Sequence, residues 1–384
     1  GQALAAEADC GQGGSRMKRM LKILRWAGCA LGVFVVVAAT VVATGYAYWK
    51  RHEESGAVLG RRYAIPATVS PVAHAIGERM YPLASMLGWL VKLPPTAEGI
   101  AAFNDKGLAK VEERNAPILQ KLGVTISKAT LGGVNVVETL PPAYRDDGTL
   151  LVHVHVHGGG WVLGSASSSS VMNAMVAIST GRRVVSIDYT LATRAQWPQI
   201  TDEIIAVYKA LLAQGYPAER IGMYGDSAGG NIVAGSVLKL RDQGLPMPAA
   251  VLLLSPGLDL TRTGDTMVSL KDADPVLYDD AMLETAMSLY APRADWANPY
   301  VSPVYGDFGK GYPPVLLQVG TRERLLSDTV RFYQALKVAG GQATLDIYEG
   351  MPHVFQGYMT DAPEQKAAFD EAKRFWAAHL RARK

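Results

Sequence analysis

A serine set between glycines, Gly225-Asp226-Ser227-Ala228-Gly229, follows the short apolar run Ile221 to Tyr224 and precedes a helical pattern opening near Asn231. Glycines at these positions permit a strand-to-helix turn so tight that the serine backbone is strained and its hydroxyl is pushed out at the end of a sheet. A serine hydroxyl becomes a useful nucleophile only when a neighbouring base takes its proton, so an imidazole and an orienting carboxylate are required as well. A second glycine cluster, His157-Gly158-Gly159-Gly160-Trp161, leaves backbone N–H groups unshielded by side chains. Such donors stabilise negative charge on a carbonyl oxygen at the transition state, and the expected set is the N–H groups of Gly159, Gly160 and Ala228. The chemistry these groups suit is two-step acyl transfer from a small-molecule ester, with water releasing the acid and no metal or organic cofactor required.

Together, His157 to Trp161 and Gly225 to Gly230 resemble the hormone-sensitive-lipase group of bacterial esterases and lipases, which are α/β-hydrolases. The likeness runs from Pro94 to the C-terminus and takes in Asp188-Tyr189-Thr190-Leu191-Ala192, Ser255-Pro256-Gly257-Leu258-Asp259-Leu260 and Asp274-Pro275. It implies an α/β-hydrolase fold whose helical cap is built from N-terminal residues and from an insertion at 260–312. It implies that His157 is structural, with Gly158, Gly225, Asp226 and Gly229 completing the two motifs. It favours short to medium acyl chains over long triglycerides. Pairing into a homodimer through the edge strand after the acid, as in some members, is left open.

Of seven histidines, only His353 and His379 lie far enough downstream, because α/β-hydrolases order serine, acid and histidine along the chain. His379 sits among Ala, Arg and Lys in a terminal amphipathic pattern, the solvated face of a helix. His353 stands in Gly350-Met351-Pro352-His353-Val354-Phe355, a loop straight after the last strand, and is the expected base. For the acid, Gly320-Thr321-Arg322-Glu323-Arg324-Leu325-Leu326-Ser327-Asp328 stands where the related group has G-x-x-D-P-L-x-D. Glu323 aligns with the usual aspartate and is preferred, while Asp328 and Asp259 are alternatives that otherwise read as a helix cap and a turn. A glutamate suffices, since the need is a buried carboxylate that accepts the Nδ1–H bond and fixes the tautomer. His153, His155 and His157 alternate and therefore share one strand face. They read as satisfied core histidines in preference to a metal site.

The elements that must position these groups follow an alternation of β-like and helical runs. Strands are expected at Val124 to Thr130 and Val134 to Leu140, joined at Gly132-Gly133, then at Leu150 to Val156, Arg183 to Asp188, Ile221 to Tyr224, Ala250 to Leu254, Val315 to Val319 and Thr344 to Tyr348. Helices are expected at 101–122, 170–180, 201–214, 231–243, 328–339 and 364–380. Such alternation means an α/β protein with a mostly parallel central sheet flanked by helices. The insertion carries its own helical piece, Asp279 to Tyr290, and is read as packing over the site. Met80, Tyr81, Met86, Trp89, Met282, Met287 and Tyr290 are candidate pocket liners, with packing inside the cap as the alternative for each.

The 384 residues carry a formal charge of +3, too small to point to nucleic acid. The two cysteines, Cys10 and Cys29, precede the whole chemistry-bearing region and exclude a thiol nucleophile or thiolate zinc site there. From Trp26 to Trp49 no residue is formally charged, and Arg16, Lys18, Arg19, Lys22 and Arg25 precede this run. That pattern predicts a transmembrane signal-anchor helix at 26–49, with the basic segment 1–25 cytoplasmic and disordered and everything beyond exported; secretion after signal cleavage is the alternative. Residues 50–123 then form the N-terminal cap helices and 124–384 the catalytic domain. The function expected is a serine carboxylesterase. Lactone hydrolysis, amidase or acyltransferase activity on the same fold, and a catalytically silent binding domain, are the rivals.

Overall fold

The computed structural model describes residues 65–78, 80, 93–145 and 152–380, with Thr40, Val42 to Thr44 and Ala47 ahead of them. The chain divides into two compact units, Gly1–Arg62 and Tyr63–Lys384. In the first, the described positions are helical, and Thr44 Oγ1 donates to Thr40 O at 2.6 Å. The 1–25 segment, most of the expected span 26–49, and Tyr81, Met86 and Trp89 lie outside the described residues. Among the described residues no helix is long and apolar enough to cross a membrane.

The second unit runs, after a helical stretch at 71–78, through α1 (Ala97–Leu122), β1 (Thr125–Leu131), β2 (Val134–Leu140), β3 (Val152–Val156), α2 (Ser170–Thr180), β4 (Arg183–Ile187), α3 (Trp197–Ala213), β5 (Ile221–Asp226), α4 (Ala228–Asp242), β6 (Ala250–Leu254), α5 (Thr266–Ser269), α6 (Asp280–Tyr290), β7 (Val315–Gly320), α7 (Leu326–Val338), β8 (Ala343–Tyr348) and α8 (Pro363–His379). The eight strands form one sheet in the order β1-β2-β4-β3-β5-β6-β7-β8. The β1–β2 and β2–β4 pairs are antiparallel and the rest are parallel. This is the mostly parallel α/β architecture that the alternation implies.

The first hairpin closes on Gly132 and Gly133, with Leu131 opposite Val134 and both glycines at positive φ, 57° and 81°. Two consecutive left-handed residues are what a two-residue hairpin turn matched to strand twist requires. The central strands β3, β5, β6 and β7 are buried at every position, as expected of parallel strands covered on both faces. Alternate side chains feed two cores. Val185, Met223, Val251, Leu253 and Leu317 pack with residues of α3, α4 and α7, whereas Val184, Tyr224, Leu252, Leu254 and Leu316 pack with Met172 and Val176 of α2 and Phe375 and Trp376 of α8.

Two helical pieces, those expected to form a cap, meet the rest of this unit. Helix α1 is capped by Thr96, whose side chain accepts from Gly99 N, and ends on Gly123 in the left-handed region. Its buried Asn104 accepts from Gly164 N at 2.8 Å and Asn115 donates to Ser168 O at 3.1 Å, fixing the helix on the chain that leaves the glycine cluster. The insertion contributes α5 and α6, the latter capped by Asp279, which accepts from Ala281 N and Met282 N.

Candidate active site

Strand β5 ends at Asp226, and α4 begins one residue after Ser227. Ser227 has φ 54° and ψ −122°, a sparsely populated conformation costing on the order of 1–3 kcal/mol. It is held there by its N–H donating to Leu254 O at 2.8 Å. The flanking glycines are sterically required. A Cβ on Gly225 would lie 2.5 Å from Gly229 O, and one on Gly229 would lie 2.0 Å from Val156 O. The turn can therefore press against the adjoining strand only without side chains.

His353 enters from the loop after β8. Its Nε2 is 2.8 Å from Ser227 Oγ and its Nδ1 is 3.0 Å from Glu323 Oε2. With Glu323 accepting the Nδ1 proton, Nε2 is left to accept from the serine hydroxyl. Glu323 is wholly buried just beyond β7, and its other oxygen accepts from Ser255 Oγ at 2.8 Å and Gly320 N at 2.6 Å. Ser255 Oγ in turn accepts from Val354 N at 3.0 Å, so one hydroxyl joins the acid to the residue following the histidine. Burial depresses the His353 pKa, but the hydrogen bond and charge of Glu323 outweigh it, and the net shift is upward. Ser255 stands in the sequence only within a family landmark; its bonds to the acid and to the histidine loop, its φ of 47° and its complete burial become visible once the fold is assembled.

Opposite the serine, Gly159 and Gly160 take φ of 108° and 59°. A Cβ on Gly159 would lie 2.1 Å from Leu163 O, so that position is restricted to glycine by space as well as by conformation. Among the described residues, the N–H groups of Gly159, Gly160 and Ala228 donate to no other protein atom, and all three residues line the cavity beside Ser227. Asp226 ties this loop to the serine turn. One oxygen is 3.1 Å from His155 Nε2, and the other accepts from Gly158 N at 3.1 Å. A Cβ on Gly158 would fall 2.3 Å from that second oxygen, so the bond needs glycine there.

The remaining histidines separate clearly. His157 donates from Nδ1 to Gly158 O at 2.8 Å and stacks on Tyr189 at 4.3 Å. Burial lowers its pKa to about 4, so it is a neutral packing element at neutral pH. His155 faces Ser186 Oγ at 2.8 Å as well as Asp226. His153 and His157 both depart from the expectation of satisfied core histidines, for His157 Nε2 and His153 Nδ1 are buried without a hydrogen-bond partner among the described residues. His153 packs on Trp376, and burial takes its pKa down to about 3. Among the described residues no group of His, Cys, Asp or Glu could hold a metal ion. Of the alternative acids, Asp328 accepts from Leu258 N and Asp259 N, both at 3.0 Å, and Asp259 pairs with Arg331 at 2.6 Å. His379 lies at the end of α8 against Phe375.

A cavity of about 360 Å³ opens over Ser227 and His353. Met267, Leu277, Met282, Leu283 and Met287 of the insertion form one wall, and Leu93, Trp161 and Leu163 contribute to the rest. Met282 and Met287 thus line it as expected. Tyr290 instead turns inward and stacks on Trp161 at 5.0 Å, and Met80 packs with the cluster containing Met351 and Phe355. The lining is nearly all apolar; its polar residues, besides Ser227 and His353, include Asp226, Asp259, Arg262, Asp328 and Tyr358.

Known proteins are similar to this chain in sequence and fold. A family model described as the alpha/beta hydrolase fold matches residues 153–357. An acetyl-hydrolase of Streptomyces hygroscopicus is 34% identical over 254 residues, covering 66% of this chain and 83% of that protein. An esterase of Acinetobacter venetianus is 34% identical over 221 residues, covering 58% of this chain and 73% of that protein. The crystal structure of the esterase E25 superposes with a TM-score of 0.76 at 32% identity, covering 84% of this chain and 98% of that one. An esterase from the bacterial hormone-sensitive lipase family gives a TM-score of 0.69 at 31% identity, covering 81% and 99%.

Proposed function

This chain belongs to the α/β-hydrolases, with the esterases of the bacterial hormone-sensitive lipase family, and is a carboxylic ester hydrolase; from that premise we propose that it cleaves short- to medium-chain esters through Ser227, His353 and Glu323 by way of an acyl-enzyme. The observation carrying this reading is the unbroken line from Ser227 Oγ to His353 Nε2 at 2.8 Å and from His353 Nδ1 to Glu323 at 3.0 Å, in a cavity also lined by three residues whose N–H groups donate to no protein atom among the described residues. His353 Nε2 takes the serine proton as Oγ bonds to the ester carbonyl carbon. The carbonyl oxygen becomes an oxyanion held by Gly159, Gly160 and Ala228, each donor worth roughly 3 kcal/mol. Collapse of the tetrahedral intermediate breaks the bond to the alkoxide, which leaves with the proton from His353. Water, deprotonated by the same nitrogen, then attacks the acyl carbon and releases the carboxylic acid and free serine.

The cavity is near the lower end of the roughly 300–1,000 Å³ range of small-molecule pockets, which favours compact esters, and the acetyl-hydrolase relative supports acetyl groups among them. Ser227→Ala is expected to lower hydrolysis of p-nitrophenyl acetate and butyrate by at least ~10⁴-fold; unchanged turnover contradicts the assignment. Lactones or amides would pass through the same acyl-enzyme. On sequence grounds, residues 26–49 support a membrane anchor with the catalytic unit exported, or a leader cleaved to release it. Carbonate extraction of the full chain from cell membranes tests the anchor, and complete release into the soluble fraction contradicts it.

A further inference from the structure

Arg324, next to the acid, is a guanidinium only 1% exposed, and the described bonds of its N–H groups run to the cap insertion. Its backbone N–H donates to Asp274 Oδ2 at 3.0 Å, Nε to Met267 O at 2.8 Å, Nη1 to Leu277 O at 2.7 Å and Nη2 to Asp280 Oδ1 at 2.7 Å. Met267 and Leu277 are residues whose side chains line the cavity. Asp274 completes the clamp, because its other oxygen accepts from Val276 N and Leu277 N, both at 2.9 Å. The residue before Arg324 is Glu323, whose carboxylate is held by His353, Ser255 and Gly320. A proline at this place would have neither the N–H for Asp274 nor any side-chain donor.

We propose that Arg324 is a positioning residue that locks the cavity wall at Met267 and Leu277 to the loop carrying Glu323, so that the fit of the acyl group and the orientation of His353 depend on one strut. The inference rests on the function proposed above. A fixed guanidinium suits the task because its planar fork reaches several acceptors at set angles, which an ammonium cannot match. Loss of the strut frees the acid loop and weakens the Glu323–His353 bond. Since Glu323 is what raises the His353 pKa, the acid limb of kcat/KM then moves to lower pH. The wall loosens at the same time, so KM rises more for butyrate than for acetate.

The test compares the wild-type 384-residue chain with Arg324→Met and Arg324→Lys on p-nitrophenyl acetate and butyrate from pH 5 to 9, alongside thermal melts and fluorophosphonate labelling. Arg324→Met is expected to lose roughly threefold to thirtyfold in kcat/KM, with the acid limb lowered and the butyrate-to-acetate KM ratio raised. Arg324→Lys is expected to recover part of each change. A lower melting temperature with the limb and the KM ratio unmoved overturns the proposal. Should Arg324→Met fail to fold, Asp280→Ala removes one half-exposed acceptor of Arg324, together with the pairs of Asp280 to Arg262 and Lys271. The same shifts, smaller, are then expected, and an unmoved limb again overturns it. A wild type that takes no label at Ser227 refutes the catalytic reading itself, an outcome distinct from either.

Discussion

At the residue scale, the site turns on which carboxylate reaches His353. Glu323 carries the Nδ1 bond, whereas Asp328 spends one oxygen on the backbone of the 258–259 turn. Glu323→Gln keeps the shape but offers an amide to the imidazole, and is expected to lower kcat/KM by about 10⁴-fold. Any residual activity should show its acid limb at lower pH than the wild type, whose limb is expected above the ordinary histidine value because Glu323 raises the His353 pKa. Asp328→Asn is expected to retain near-normal turnover and to change stability instead. Burial, reinforced by the nearby charge of Asp259, pushes the Asp328 pKa up to about 8. Between roughly pH 4 and 8 the unfolded chain releases this proton while the folded state keeps it, so the wild type loses stability as pH rises through that window. The melting-temperature advantage of Asp328→Asn should therefore grow from pH 4 to 8 and level off above, and a constant difference contradicts this. Ser227 and His353 were legible in the sequence because a motif and a chain order define them. Glu323 was preferred as the acid by its place in a motif, with Asp328 and Asp259 as alternatives, since only the folded loops after β6, β7 and β8 decide which carboxylate faces the ring; Ser255 was missed for the same reason.

At the scale of elements, local pattern carried most of the information. The Gly132-Gly133 hairpin and the strands formed where alternation and turn residues placed them, because buried parallel strands of valine and leucine leave few competing structures. Helix starts were less legible. Helix α4 opens at Ala228 and not near Asn231, since Gly229 and Gly230, poor helix formers in isolation, are held helical by their packing on β3 and Pro256. Tyr290 is buried behind the lining, stacked on Trp161, and does not line the cavity itself, an outcome that periodicity alone cannot decide. The loop after β3 and the turn after β5 act as one unit through Gly158 and Asp226. Gly158→Ala, with its methyl forced onto Asp226 Oδ2, is expected to pull the oxyanion donors out of place and cost about 10²- to 10³-fold in kcat. Overpacking should also lower stability by roughly 1–3 kcal/mol. Measured kcat and urea unfolding of the same protein check both, and normal kcat contradicts the coupling.

For the whole molecule, alternation of strands and helices fixed the α/β class but not the strand order, in which β4 lies outside β3 and the chain then returns inward to β5. The serine, the histidine, the acid and the oxyanion loop all belong to the unit Tyr63–Lys384. A chain beginning at Tyr63 is accordingly expected to keep the kcat/KM of the 384-residue chain on soluble esters, and its loss would show that the first unit contributes to activity. The most direct measurement is intact-protein and peptide mass spectrometry after reaction with diisopropyl fluorophosphate. One adduct per chain on the peptide containing Ser227 is expected, rising in step with the loss of esterase activity and absent from Ser227→Ala. An adduct on another residue, or full activity in a chain without this hydroxyl, contradicts the account.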